Sequence, residues 1–206
     1  MKKYLKFLLL APCLLSVICD PFDDEIACGY SDPEIYTIDI ENTSEIYTEN
    51  ETIFLNAQTS SMLFDECDET EELMVIDDAT EFNGGFFLLK LNNELSGLNA
   101  QLVEDYSVEY SLGEPFLVGN CLKSIRSLPV LSDDNLTYNY RLGLSVSNPG
   151  DYCIVNTNNF NFNIEVENNA QVYNTYNTLD NEIKFNRCGD VYTRTGTEGH
   201  YFFRVQ

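Results

Sequence analysis

Tryptophan is absent from this 206-residue sequence, and His200 is its single histidine. One histidine excludes metal sites that need two imidazoles, and a Ser-His-Asp triad would have to use this residue. The G-x-S-x-G and H-E-x-x-H motifs are missing as well. We therefore predict that the protein is not an enzyme, has no catalytic residues and uses no cofactor.

Basic residues are scarce, with 11 Lys and Arg against 34 Asp and Glu and a net charge of −23. No Lys or Arg lies between Lys6 and Lys90, whereas 17 of the 34 acidic residues fall within residues 20–72. This balance excludes nucleic acid as a partner, because binding it requires a basic face. Basic residues such as Lys184 and Arg204 come late in the chain. We expect part of the acidic half to pair with this C-terminal part in one sheet system, which would relieve its repulsion.

A hydrophobic run long enough to span a bilayer is also missing. The apolar stretch Phe7–Ile18 is about a dozen residues long, against the ~20 that a membrane helix needs. Three lysines precede it and an acidic segment follows, which is the order of an export signal. The segment Leu14-Leu15-Ser16-Val17-Ile18-Cys19 resembles the lipobox of bacterial lipoproteins. The resemblance implies that residues 1–18 are removed and that the Cys19 thiol is acylated; ordinary secretion and an uncleaved anchor are the alternatives.

Acidic residues begin directly after Cys19, in Asp20-Pro21-Phe22-Asp23-Asp24-Glu25. This segment resembles the tract that directs some lipoproteins to the outer face of the outer membrane. It implies an acidic tether over residues 19–33 and a lipid-anchored protein at the outer membrane or cell surface. A periplasmic or secreted protein with a solvated tether is the alternative.

Five of the seven cysteines remain once Cys13 leaves with the signal and Cys19 is lipidated. An exported location permits disulfides, and an odd number predicts two bridges and one free thiol. The pairing is not readable from the sequence. The candidates are Cys28, Cys67, Cys121, Cys153 and Cys188.

Six carboxylates occur within the eight residues 65–72. Clustered oxygen ligands suit Ca²⁺, so weak calcium binding is one interpretation and a solvated acidic loop is the other. The candidate ligands are Asp65, Glu66, Asp68 and Glu69.

Alternation of apolar and polar residues recurs from about residue 32 onward and is clearest over residues 136–147. Such alternation predicts strands with one buried face. The turn residues Asn148-Pro149-Gly150 predict a hairpin with residues 151–155, and residues 196–199 predict a second hairpin joining 191–195 to 200–205. A turn is expected at Asn83-Gly84-Gly85 and a short helix over 171–178. Further strands are predicted at 35–41, 52–57, 73–77, 86–91, 102–111, 160–166 and 184–186.

Many short strands predict an all-β protein, an antiparallel β-sandwich of the immunoglobulin-like or jelly-roll-like type. We expect a single domain over residues 34–206, with two small sandwiches meeting near 113–119 as the alternative. The predicted function is that of a non-enzymatic surface module for binding, adhesion or envelope structure, with the membrane and an unidentified protein or glycan as partners. The alternatives are a ligand-binding accessory of nutrient uptake and a carboxylate-based hydrolase.

Overall fold

The computed structural model describes residues 36–64, 73–82, 84–92, 97–117, 124–157, 169–176, 182–194 and 199–206. Sixteen strands and one α-helix lie within these ranges, together with a 3-10 turn at Ala79–Phe82. The elements are β1 (Tyr36–Ile40), β2 (Ile46–Tyr47), β3 (Thr52–Ser60), β4 (Met62–Phe64), β5 (Leu73–Val75), β6 (Gly84–Leu91), β7 (Ala100–Leu102), β8 (Tyr106–Leu112), β9 (Glu114–Pro115), β10 (Ile125–Leu128), β11 (Val130–Leu131), β12 (Thr137–Val146), β13 (Gly150–Asn156), α1 (Ala170–Tyr176), β14 (Ile183–Arg187), β15 (Asp190–Arg194) and β16 (His200–Val205).

Two sheets carry most of these strands. The five-stranded sheet has the order β1-β3-β12-β11, with β8 also paired to β12. The seven-stranded sheet has the order β2-β16-β13-β6-β10-β9, with β7 also paired to β6. All of these pairs are antiparallel except β2 with β16. Apolar side chains from both sheets meet in one core, which confirms the predicted all-β sandwich.

Every second side chain of β3 and β12 projects into that core. Leu55 of β3 and Leu142 of β12 lie opposite each other in register, and both are buried. Residues on the other side of β3, such as Phe54, are only half-buried. The five-stranded sheet therefore has one buried face, as its period-2 pattern predicts.

The seven-stranded sheet is buried on both faces, and its central strands are apolar almost without interruption. In β6, residues 84–89 are all buried, and in β16 residues 200–203 are. Phe86 and Phe203 face the main core, whereas Phe87 and Phe202 face the opposite side. We call that opposite side the outer face; α1 and the β14–β15 hairpin cover it through Val172, Ile183 and Phe185.

One asparagine fixes α1 to the rest of the fold. The Asn169 side chain accepts a hydrogen bond from the Val172 amide at 3.0 Å, which is the contact of a helix N-cap. Its amide nitrogen donates to the Glu45 carbonyl at 2.8 Å. The buried Asn169 therefore joins the helix to the segment that leads into β2.

Two buried tyrosines link β2 and β16 by hydrogen bonds through their hydroxyl groups. The hydroxyl oxygens of Tyr47 and Tyr201 lie 2.8 Å apart, and Tyr201 donates to the Ser44 carbonyl at 2.8 Å. Burial, together with the hydrogen bond that Tyr47 makes to Tyr201, raises the pKa of Tyr47 above its ordinary value. The expected pairing of the acidic half with the C-terminal part is confirmed here, although the pair is parallel and short.

Both predicted hairpins are wrong. Strand β12 lies in the five-stranded sheet and β13 in the seven-stranded one, so the turn at 148–150 crosses between sheets. Strand β15 pairs with β14, whereas β16 pairs with β13 and β2. Alternation shows that one face of a strand is buried. It does not show whether the next strand along the chain pairs beside it or lies in the opposite sheet, because the pattern is the same in both arrangements.

Other boundaries differ in smaller ways. The strand predicted over 102–111 is two strands, β7 and β8, in different sheets. Gly84 and Gly85 lie inside β6 rather than in a turn. Glycine suits these positions because a Cβ would lie 2.5 Å from the Tyr140 hydroxyl at the first and 2.8 Å from the Thr157 hydroxyl at the second. The short helix is confirmed as α1, and the strand predicted over 160–166 lies outside the described residues.

Candidate functional site

Most of the predicted site residues fall outside the part of the chain that the structure describes. These are Cys19, Cys28, Cys67, Cys121, Asp65, Glu66, Asp68 and Glu69. Their predicted roles in lipidation, disulfides and calcium binding therefore stay predictions. Within the described ranges, no group of three or more His, Cys, Asp or Glu side chains is arranged to hold a metal ion.

The two described cysteines differ from each other. Cys153, one of the five candidates for bridges, is a free thiol that is fully buried on the outer face. Burial raises its pKa, so the thiol is protonated and inert at neutral pH. Cys188 is disulfide-bonded, and the total of two bridges and one free thiol stays a prediction.

The single histidine lies in the interior. His200 begins β16 opposite Val155 and is 2% exposed. Its ring meets that of Phe202 edge-on, with the centroids 6.0 Å apart. An imidazole in this place contributes to the packing of the outer face.

The outer face carries an arginine among aromatic rings. The Arg187 guanidinium carbon lies 4.9 Å from the ring centroid of Phe87 and 5.4 Å from that of Tyr192. Tyr192 is in turn stacked on Phe185 at a centroid distance of 6.1 Å. Strand alternation explains the grouping, because Phe185, Arg187 and Tyr192 project from the same side of the β14–β15 hairpin towards the sheet.

A second arginine projects from the same face of the sheet. Arg126 of β10 is in register with Gly85, so it projects from the outer face next to Phe87. Its Nε donates to the Ser124 hydroxyl at 3.0 Å. Partial burial, and then the positive charge of Arg187, lower the pKa of Arg126. We call Arg126, Arg187 and Tyr192 the arginine–tyrosine cluster.

Two other arginines of the described ranges, Arg141 and Arg204, form ion pairs with carboxylates. Arg141 binds Glu41 through two contacts of 2.8 and 2.7 Å. Arg204 contacts Asp151 at 2.6 Å. Arg187 has no such pair among the described residues, and its Nε is buried without a hydrogen-bond partner there. The cluster therefore combines donors that suit an oxyanion with an exposed aromatic ring.

Sequence reasoning missed this cluster. Arg126 and Arg187 are 61 positions apart, and only the pairing of β10 with β6 and the docking of β14–β15 on the outer face bring them together. A weak signal was present in the alternation of Phe185 and Arg187, which places the arginine on the apolar side of its strand.

No protein-family model, no curated protein and no solved structure matches the chain significantly.

Proposed function

We propose that this protein is an exported lipoprotein, anchored through Cys19 at the outer membrane or cell surface, which acts as a non-enzymatic binding module. The N-terminal signal and acidic tether support the anchor, and the rigid β-sandwich supports a scaffold for recognition. Among the described residues, no helix has the length and apolar character needed to cross a bilayer.

The observation that carries the binding role is the composition of the β14–β15 hairpin. Val191 is 62% exposed and Tyr192 is 41% exposed, next to Arg187. Tyrosine and arginine are enriched in the energetically important residues of binding interfaces. Tyr192 and Arg187 both lie on the side of the hairpin that faces the sheet, where Tyr192 is stacked on Phe185, so little conformational entropy would be lost on binding.

Membrane fractionation tests the anchor. Cys19→Ser should release the protein from membranes or stall its processing, because the acyl chains supply the attachment. Cys13→Ser is the matched control, since this cysteine lies within the apolar part of the signal, and it should leave the protein on the membrane. Protease treatment of intact cells then tests surface display. If Cys19→Ser pellets with membranes as the parent does, the proposed anchor is wrong.

A further inference from the structure

We propose that β15 is a surface for self-association, at which two copies of this chain pair antiparallel, edge to edge, about a two-fold axis. The inference rests on the proposed binding function and names the partner of the β14–β15 hairpin. The product is a four-stranded sheet, in which β14 and β15 of one copy are followed by β15 and β14 of the other. An added strand gains main-chain hydrogen bonds at an open sheet edge.

The geometry of the hairpin shows which main-chain groups point to the edge. Its turn lies at residues 188–189, whose φ values of 55° and 103° are typical of a type I′ turn. The pair that closes the turn, Arg187 with Asp190, is the hydrogen-bonded kind, and the two kinds of pair alternate along the hairpin. The N–H and C=O groups of Val191 and Thr193 therefore point away from β14.

This edge of β15 is open, whereas the opposite edge of the hairpin is used. On β14, the Lys184 carbonyl accepts a hydrogen bond from the Asn99 amide at 3.1 Å. Among the described residues, no backbone hydrogen bond from outside the hairpin reaches residues 190–194. Residues 190–193 are all exposed, so a second strand has access to them.

Other edge strands carry features that oppose pairing, and β15 does not. Strand β9 has two residues, of which Pro115 cannot donate a backbone hydrogen bond. The pairing of β8 with β12 is interrupted by a register shift between Arg141 and Leu142. Strand β15 contains no Pro and no Lys and pairs with β14 without a shift, which leaves it unprotected against strand addition.

The sequence of β15 is complementary to itself. Antiparallel pairing centred on Tyr192 places Asp190 of each copy opposite Arg194 of the other. It also places Val191 opposite Thr193, so the groups that point outward meet as hydrogen-bonded pairs. Asp190 has no ion pair among the described residues, and the second copy supplies its counter-charge. Arg194 is half-buried and interacts within its own chain, and this register requires only its charge at that position.

The hairpin is also where an acidic chain meets its copy with least repulsion. The chain has a net charge of −23, yet Asp190 is the only carboxylate in β14 and β15. The two β14 strands lie three strand spacings apart, about 14 Å, so their Lys184 and Arg187 charges are largely screened at a Debye length of about 8 Å. The opposed charges of the paired β15 strands are much closer together.

Disulfide cross-linking in membranes that carry the full chain tests the register. At the two-fold axis the two Tyr192 Cα atoms lie about 4.5 Å apart, within the range that a disulfide spans. Tyr192→Cys should therefore give dimers on a non-reducing gel after mild oxidation. Val191→Cys is the matched control: its two Cα atoms lie about 8–9 Å apart, too far for a bridge. We expect about tenfold more dimer from Tyr192→Cys, although Val191 is the more exposed residue, 62% against 41%.

Charge reversal tests the complementarity, with self-association of the full-length protein in detergent measured by analytical ultracentrifugation. Asp190→Arg and Arg194→Asp each place like charges opposite each other, so each should weaken self-association by about tenfold or more. A mixture of the two variants restores opposite charges at both ends and should associate as the parent does. Glu49→Arg, at an exposed position between β2 and β3, makes the same change in net charge as Asp190→Arg and should leave association unchanged.

A parent that stays monomeric, or Val191→Cys that cross-links as well as Tyr192→Cys, would refute the proposal; binding of another protein's strand would then be the remaining use of this edge. Asp190→Arg that associates as the parent does would refute it as well. If Arg194→Asp does not fold, Asp190→Arg and the cross-link still decide. Neither test depends on Cys19, so failure of self-association is distinct from failure of the anchor.

Discussion

Replacing Phe185 by alanine would test whether the β14–β15 hairpin is an integral layer of the fold. Phe185 is 0% exposed, and its ring centroid lies 5.5 Å from that of Phe87 on β6. Removal of a buried phenylalanine side chain costs about 3–5 kcal/mol, since the transfer free energy is lost and a cavity remains. For a chain of this size the melting temperature should fall by roughly 6–20 °C.

Phe54→Ala is the matched control for this substitution. Phe54 lies on the half-buried side of β3, where it contacts Arg141 and solvent, so its loss should cost about 1 kcal/mol. Guanidinium denaturation followed by circular dichroism would measure both variants. If Phe185→Ala is no more destabilising than Phe54→Ala, the hairpin does not stabilise the sheet and our account of the outer face is wrong.

Three further substitutions test other parts of the fold. Gly113→Ala should lower the free energy of unfolding by about 2–4 kcal/mol, because a φ of +84° is strained for alanine and the new Cβ would lie 2.6 Å from the Leu128 carbonyl oxygen. Gly97→Ala is the control: its φ is +82° but the space around it is open, so it should cost only about 1 kcal/mol. Asn169→Ala should lose about 0.5–2 kcal/mol with the N-cap of α1, and a melt that equals the parent's would contradict that role. The raised pKa keeps Tyr47 protonated in the folded protein, whereas tyrosines of the unfolded chain ionise above about pH 10. The contribution of Tyr47 to the free energy of unfolding is therefore fully present below that pH and is lost as the pH rises above it. Tyr47→Phe should reduce the decrease measured between about pH 8 and about pH 11, and an unchanged decrease would exclude Tyr47 as its source.

Strand positions were largely predictable from the sequence, whereas strand partners were not. The alternation over residues 136–147 corresponds to β12, because a period of two requires one buried face. The same alternation does not distinguish a neighbour in one sheet from a strand in the opposite sheet, and β13 is the latter. A turn containing Pro149 and Gly150 is compatible with either path of the chain.

The error at the C-terminus had a signal that was not used. Strand β16 contains consecutive apolar residues and must be covered on both faces, whereas β15 has polar or charged residues at three of its five positions. Two strands with such different compositions belong in different environments. The arginine–tyrosine cluster was less accessible still, because it depends on contacts between β10, β6 and the hairpin that no local pattern encodes.

The pairing of the acidic half with the C-terminal strand was predicted correctly, but charge relief is not its main cause. Arg204 of β16 pairs with Asp151 of β13, which lies outside the acidic half. An ion pair that does reach the acidic half, Arg141–Glu41, has side chains 33% and 35% exposed, and exposed pairs of this kind add little stability. By contrast, Tyr47 and Val205 are both buried in the main core where β2 meets β16. Burial of a large apolar side chain stabilises by about 1.5–3 kcal/mol, so the apolar contacts decide this pairing and screening by salt should weaken it little.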